Sequence, residues 1–319
     1  MSRGAAAPDV GRQALIAGVG CYVLWGALPI LFMIMGRAGA SSWEILGQRA
    51  MWSAPWAGLL VMLAGQGAQV RRAFARPGTL ALLALSATLI ASGWSVYIWA
   101  VNHGRNLEAS LGYYINPLLN MAVGAVLFRE RIDRFGAAAI SLAVVGVILQ
   151  TIALGRLPVV SLVLALTFWG YGIIRKRIDI DAQSGLFIEC LLLALPGLAL
   201  VLWMAHAGGA VFGRSLGASL LMATTGPATV IPLALFAWTA RRLTFSTIGF
   251  LQFIGPTIGF FVGIATGETL TPLRAISFLF IRASAAVFVA GAWRAAKRGL
   301  APHEAMELSP APNTDNGPA

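Results

Sequence analysis

Apolar residues run through this chain in blocks of roughly 20, broken by short polar connectors. Ten such blocks cover residues 14–35, 43–65, 79–101, 107–128, 134–154, 157–174, 185–205, 217–240, 245–266 and 273–293. About 20 mostly apolar residues suffice for a helix to cross a bilayer. The pattern therefore predicts an all-α polytopic membrane protein with ten transmembrane helices, sequence neighbours lying antiparallel. The first block precedes Ala38-Gly39-Ala40, which looks like a signal-peptide cleavage site. That block is longer than a signal peptide's apolar region of about 7–15 residues, so it reads as a retained helix. The stretch from Ala301 is polar and rich in Pro, Asn and Asp, the composition of a disordered tail.

The blocks repeat. Shifted by 139 positions, Trp99 meets Trp238, Ile115 meets Ile254, Pro117 meets Pro256 and Gly124 meets Gly263 without a gap. Shifted by 144, Trp25-Gly26 meets Trp169-Gly170, and near that shift Glu44 and Glu189 sit close to the start of their helices. This organisation predicts a short N-terminal segment (1–13), a first five-helix repeat (14–155), a second (156–300) and a tail (301–319). Five helices per repeat turn the second upside down relative to the first, an arrangement of many secondary transporters.

Composition agrees. The 319 residues are 58% hydrophobic and 11% charged, against about 25% charged for a soluble domain. The net charge of +11 does not point to nucleic acid, because the basic residues flank the apolar blocks instead of forming a patch. Sixteen Lys and Arg fall on the side of the N-terminus and five on the other, with Arg49 and Arg282 inside helices. The positive-inside rule then places both termini in the cytoplasm. Cys21 and Cys190 lie within apolar blocks and read as small core residues.

Enzyme chemistry finds no foothold. "PHEAM" at Pro302–Met306 lacks a second metal-spaced His, "QSG" at Gln183–Gly185 lacks the leading Gly of a nucleophile turn, and "GVGCYV" from Gly18 lacks the third Gly of a dinucleotide loop. No metal or cofactor is expected, and the partners implied are a small-molecule solute and the bilayer; a homodimer stays open.

The polar residues inside the blocks are the candidates. "LGYYINPLLNMAVG" (Leu111–Gly124) places Tyr113, Asn116 and Asn120 on one stripe around Pro117. The Asn pair lines a solute cavity or clamps neighbouring helices. In the second half the same positions hold Gln252, Gly255 and Gly259, within a Gly255, Gly259, Gly263, Gly267 stripe suited to close helix packing. Pro117 and Pro256 would bend their helices. Trp25 and Trp169 lie mid-block, where an interfacial belt does not apply, so lining and packing are both open for them; Trp99 joins them as a lining candidate. Charge at mid-bilayer costs about 2.5–3.5 kcal/mol on insertion scales. Arg49 either holds helices through carbonyls or faces an anionic group. Glu44 fits a capping box with Ser41 and is a weaker proton-coupling candidate. Glu189, deeper in its helix, is the stronger one, since an apolar setting favours a carboxyl's neutral form.

The segments "WAVNHGRNLEASLGYYINPLLN", "STIGFLQFIGPT", "LPVVSLVLALTFWGYGIIRK", the "EIL" run through Arg49, and Ile188-Glu189 resemble the RarD family, in the ten-helix drug/metabolite transporter superfamily with two EamA-type repeats. The resemblance covers about residues 10–298. It implies an inner-membrane permease working by alternating access, and a family association with chloramphenicol sensitivity. Arg129 before Glu130, and Arg282, depart from the family pattern.

Overall fold

Long apolar runs with few helix breakers should fold as helices, because a buried backbone must satisfy its own hydrogen bonds. The computed structural model describes residues 7–127, 134–240, 242–243 and 251–297, and these contain helices and no strand. In chain order the helices are α1 (Ala7–Arg37), α2 (Ser42–Leu63), α3 (Gly67–Phe74), α4 (Pro77–Asn102), α5 (Asn106–Leu127) and α6 (Arg134–Leu154). They continue with α7 (Val159–Arg177), α8 (Ala182–His206), α9 (Leu216–Ala223), α10 (Thr225–Ala240), α11 (Ile254–Ala265) and α12 (Pro272–Lys297). Six stretches are long and apolar enough to cross a membrane: Val10–Arg37, Pro77–Asn102, Arg134–Leu154, Ala182–His206, Leu216–Phe236 and Pro272–Gly291. Both tail segments assigned from sequence, 1–13 up to Ala6 and 301–319 throughout, lie outside the described residues.

Three features depart from the block pattern. The first is α3, an extra short helix that buries Val70 and Ala73 against α4 and α8. Its end is tied to the start of α8, where Gln66 and Gln69 donate to Asp181 and Ser184 donates to Gln66. Second, the eighth block is interrupted at Thr224 between α9 and α10. Pro227 has no N–H to offer Ala223 and its ring crowds that carbonyl. Thr224 and Thr225 turn their hydroxyls back onto the carbonyls of Leu221 and Met222. Third, α11 begins only at Ile254, after a turn at Gln252 and Phe253. Pro256 lies four residues after Gln252, where its ring excludes a regular turn.

The helices pair across the chain: α2 packs on α8, α6 on α12 and α5 on α11. Counted along the chain, α1, α2, α4, α5 and α6 correspond to α7, α8, α9–α10, α11 and α12. Under that exchange the packing of α4 on α7 matches α1 on α10, and α5 on α7 matches α1 on α11.

Small residues allow the closest crossings. A Cβ on Gly47 would meet the Gly197 carbonyl at 3.1 Å, and one on Gly197 would meet the Gly47 carbonyl at 2.9 Å, so α2 and α8 touch through reciprocal glycines. Ser277 and Ser284 donate to the carbonyls of Gly146 and Ala139 at 2.7 and 2.8 Å, which joins α12 to α6. Along α11, Gly255 faces α1 while Gly259 and Gly263 face α5. Apolar side chains such as Leu195, Leu202 and Leu279 point outward and are exposed. In water such faces would aggregate; in lipid they are solvated.

Among the described glycines the tightest contact with backbone is at Gly226. A Cβ there would lie 2.5 Å from the Trp52 carbonyl oxygen. Gly226→Ala is expected to push α10 off α2 and cost about 1–3 kcal/mol. Thermal unfolding in detergent reads this, and a midpoint equal to wild type would show that the crossing is loose.

Candidate functional site

The paired helices leave a cavity of about 470 Å³ between them. Its walls come from α1, α2, α4, α5, α7, α8, α10 and α11, so both halves of the chain contribute. This size lies within the range of small-molecule sites, about 300–1,000 Å³.

One wall is aromatic. Tyr113 stands edge-on between Tyr97 and Phe168, with ring centroids at 5.4 and 5.3 Å. In a second aromatic group, Tyr22 and Phe236 flank Trp25 at 5.4 and 5.9 Å. Such contacts fix the rings beyond what burial alone does.

Arg49 enters from α2. Its guanidinium lies 4.0 Å above the Trp94 ring and 5.6 Å from that of Phe32. Its Nε donates to Thr229 Oγ1 at 2.9 Å, and Thr229 in turn donates to the Thr225 carbonyl. The interruption before α10 thus places the hydroxyl that orients Arg49. Among the described residues no carboxylate pairs with Arg49.

A second polar cluster joins α4, α7 and α8. The Glu189 carboxylate accepts from Ser86 Oγ at 2.6 Å and from the Tyr171 hydroxyl at 3.4 Å, and Arg175 Nη1 is 3.7 Å away. Gly185 makes room for this arginine: a Cβ there would fall on the guanidinium. Arg175 also donates to the Ala182 carbonyl.

Of the sequence candidates, Trp25, Arg49, Tyr113, Asn116, Glu189, Gln252 and Pro256 line the cavity. Asn116 is buried, and its Oδ1 has no partner among the described residues. Gln252 sits in the turn before α11 and lines the cavity from there. The side chains of Asn120 and Pro117 lie outside the described residues, though α5 continues through both positions.

Trp99, Trp169 and Glu44 are placed elsewhere. Trp99 sits at the end of α4, more than a third exposed, stacked on His103 at 4.6 Å with the Arg105 guanidinium at 4.8 Å. Its repeat mate Trp238 carries Arg242 at 4.3 Å. An indole with a cation at a helix end is the arrangement of a membrane–water interface, which accounts for that repeated Trp. On α7 the lining stripe is Phe168, Tyr171 and Arg175, and Trp169 is rotated about 100° from it. Glu44 is fully buried, and Oε1 accepts from the backbone N–H groups of Val211 and Phe212 at 2.7 and 2.8 Å. The expected capping box forms by half. Ser41 Oγ accepts from Glu44 N, while the Glu44 carboxylate holds the loop after α8.

Sequence reading passes over Trp94, Tyr171 and Arg175, the last of which counts there only as a flanking charge. The available signal is Gly185, four residues before Glu189, since a long side chain packed over a helix needs a glycine beneath it. Also unforeseen is Glu268, which accepts from the Asn106 and Leu107 N–H groups and caps α5 from the connector between α11 and α12. Burial raises its carboxyl above the usual range, opposed by these hydrogen bonds and by Arg274. On α5, Glu108 pairs with Arg156. Arg282 lies over the rings of Phe260 and Phe261 at 4.6 and 5.6 Å, away from the cavity lining.

The family model of the EamA-like transporter family matches residues 12–152. The chain is 42% identical over 291 residues to an uncharacterised transporter of Pseudomonas aeruginosa, covering 90% of this chain and 96% of that one. It is 37% identical over 296 residues to protein RarD of Streptomyces exfoliatus, covering 92% and 93%. One solved crystal structure shares the fold, with a TM-score of 0.55 at 19% identity over 89% of this chain and 98% of the other.

Proposed function

Because the chain belongs to the EamA-like transporter family, with RarD proteins among its relatives, we propose that it carries a small metabolite or drug-like solute across the bacterial inner membrane by alternating access. Membership makes it a multi-pass membrane transporter; the mechanism, membrane and cargo are this reading's own. In it, ten spans form two inverted five-helix repeats, 14–155 and 156–300, with both termini in the cytoplasm. The matched helix pairings support that symmetry, and the uneven distribution of Lys and Arg supports the orientation.

The observation that carries the proposal is the cavity enclosed by helices from both halves. Transporters of inverted-repeat design bind their cargo at the repeat interface, near helices broken inside the membrane. The break at Gln252–Phe253 opens onto this cavity, and irregular backbone at membrane depth is tolerated where it lines one. Trp25, Tyr113, Asn116 and Gln252 contact the solute, Arg49 supplies a fixed positive charge, and Glu189 exchanges protons with the passing cargo. Pro256, and Pro117 in the other half, let the flanking helices tilt as access alternates.

Purified protein in liposomes is expected to accumulate at least one member of a broad metabolite and drug panel under an imposed proton or solute gradient. Failure of the whole panel, with protein correctly inserted and both gradient directions tried, would count against transport.

A further inference from the structure

Arg49 is 5% exposed, yet it faces a cavity and its charge is unbalanced. Among the described residues, the glutamates of the helix bundle are already engaged. Glu44 holds the backbone of Val211 and Phe212. Glu108 pairs with Arg156. Glu189 faces Arg175, Ser86 and Tyr171. Glu268 caps α5. A buried charge without a partner is among the most unfavourable features a fold can carry, and intramembrane arginines of this kind mark pathways for charged solutes.

The geometry also limits what the partner is. Nε is committed to Thr229 and one face of the guanidinium is covered by Trp94 at 4.0 Å. The two terminal nitrogens are left, and they have no hydrogen-bond partner among the described residues. Their edge fits a carboxylate in the two-bonded fork typical of arginine. Arg175 and Glu189 cancel each other, so the cavity lining carries a net single positive charge. That matches a monoanion better than a dianion, which would bring an uncompensated charge of its own. Elsewhere in the lining, Tyr113, Trp25 and Phe168 offer aromatic surface.

We propose that the cavity binds a small organic monoanion, its carboxylate on the free edge of Arg49 and its apolar or aromatic body against Trp94 and Tyr113. The claim that this anion is also the cargo rests on the transporter reading above; the claim that it binds does not.

The test uses the purified full chain in lipid nanodiscs and three matched probes: 3-phenylpropionate, its neutral amide and 3-phenylpropylamine. Calorimetric titration is expected to show the carboxylate binding about 10-fold or more tighter than the amide, with the amine weakest. Arg49→Gln should abolish that preference, bringing the carboxylate's affinity down to the amide's. The proposal is overturned if amide and carboxylate bind alike, if Arg49→Gln keeps the preference, or if the carboxylate shows no binding at millimolar concentration. Should Arg49→Gln fail to fold, the wild-type preference decides alone. Carboxylate binding without uptake in liposomes would remove the transporter reading and leave the anion site. Uptake of the amide with no affinity for the carboxylate would do the reverse.

Discussion

Glu44→Ala is expected to destabilise the protein by about 3–5 kcal/mol. Oε1 of Glu44 accepts two backbone N–H groups, from Val211 and Phe212, at a fully buried position. Deleting it strands two backbone donors, that of Val211 buried and that of Phe212 partly so, and each bond to a charged acceptor is worth about 1.5–3 kcal/mol. Glu44→Gln keeps an oxygen at the same place and loses only the charge, so it should recover most of the stability. Melting curves in detergent distinguish the pair. If Ala and Gln destabilise equally, the carboxylate does not work through those N–H groups. Neither variant should alter how activity depends on pH, because Glu44 is not among the cavity-lining residues.

The second large effect is on coupling. Under the proposed function, Glu189→Gln should eliminate uptake driven by a pH gradient while preserving exchange of solute across liposomes without one. The substituted amide is the same size as the carboxyl and keeps an acceptor for Ser86 Oγ, which now donates at 2.6 Å. It cannot bind or release a proton, and it leaves Arg175 without its counter-charge. A purely structural role would reduce both kinds of transport together. Gradient-driven uptake that survives the substitution unchanged would end the assignment of Glu189 as the proton carrier.

How much of this is legible in the sequence depends on whether the signal is local. Apolar blocks mark where the chain meets hydrocarbon, so the long helices follow from single-segment hydropathy. The short helix α3 escapes that reading, because eight residues containing Arg71 and Arg72 look like a charged connector; its two small buried residues, Val70 and Ala73, make no block. The interruption at Thr224 depends on where Pro227 falls in a mostly apolar run that carries Pro232 inside a continuous helix, and composition averages that difference away. For the site, helical periodicity finds the Tyr113–Asn116 stripe because both residues lie on one helix. It does not say which face of α7 turns inward, so Trp169, marked by the repeat and its mid-block position, stands out ahead of Phe168 and Tyr171. Trp99 comes forward for a related reason: the repeat singles it out, and only the structure shows that both copies sit beside arginines at helix ends. The Arg175–Glu189 approach joins residues on different helices, which no single-helix pattern encodes.

The pairing of helices across the two halves has a consequence for the order in which the protein can be made. The last residue of α1 is Arg37 and the first of its partner α10 is Thr225, so 225 − 37 = 188 residues of synthesis separate them. At about 5–20 residues per second, α1 spends roughly 10–40 s in the bilayer before α10 exists. During that interval Arg49 has no Thr229 to bond and Glu44 no loop to hold. The newborn first half must therefore be sheltered by the insertion machinery or by lipid, and the lifetime of that half-built state is set by the ribosome.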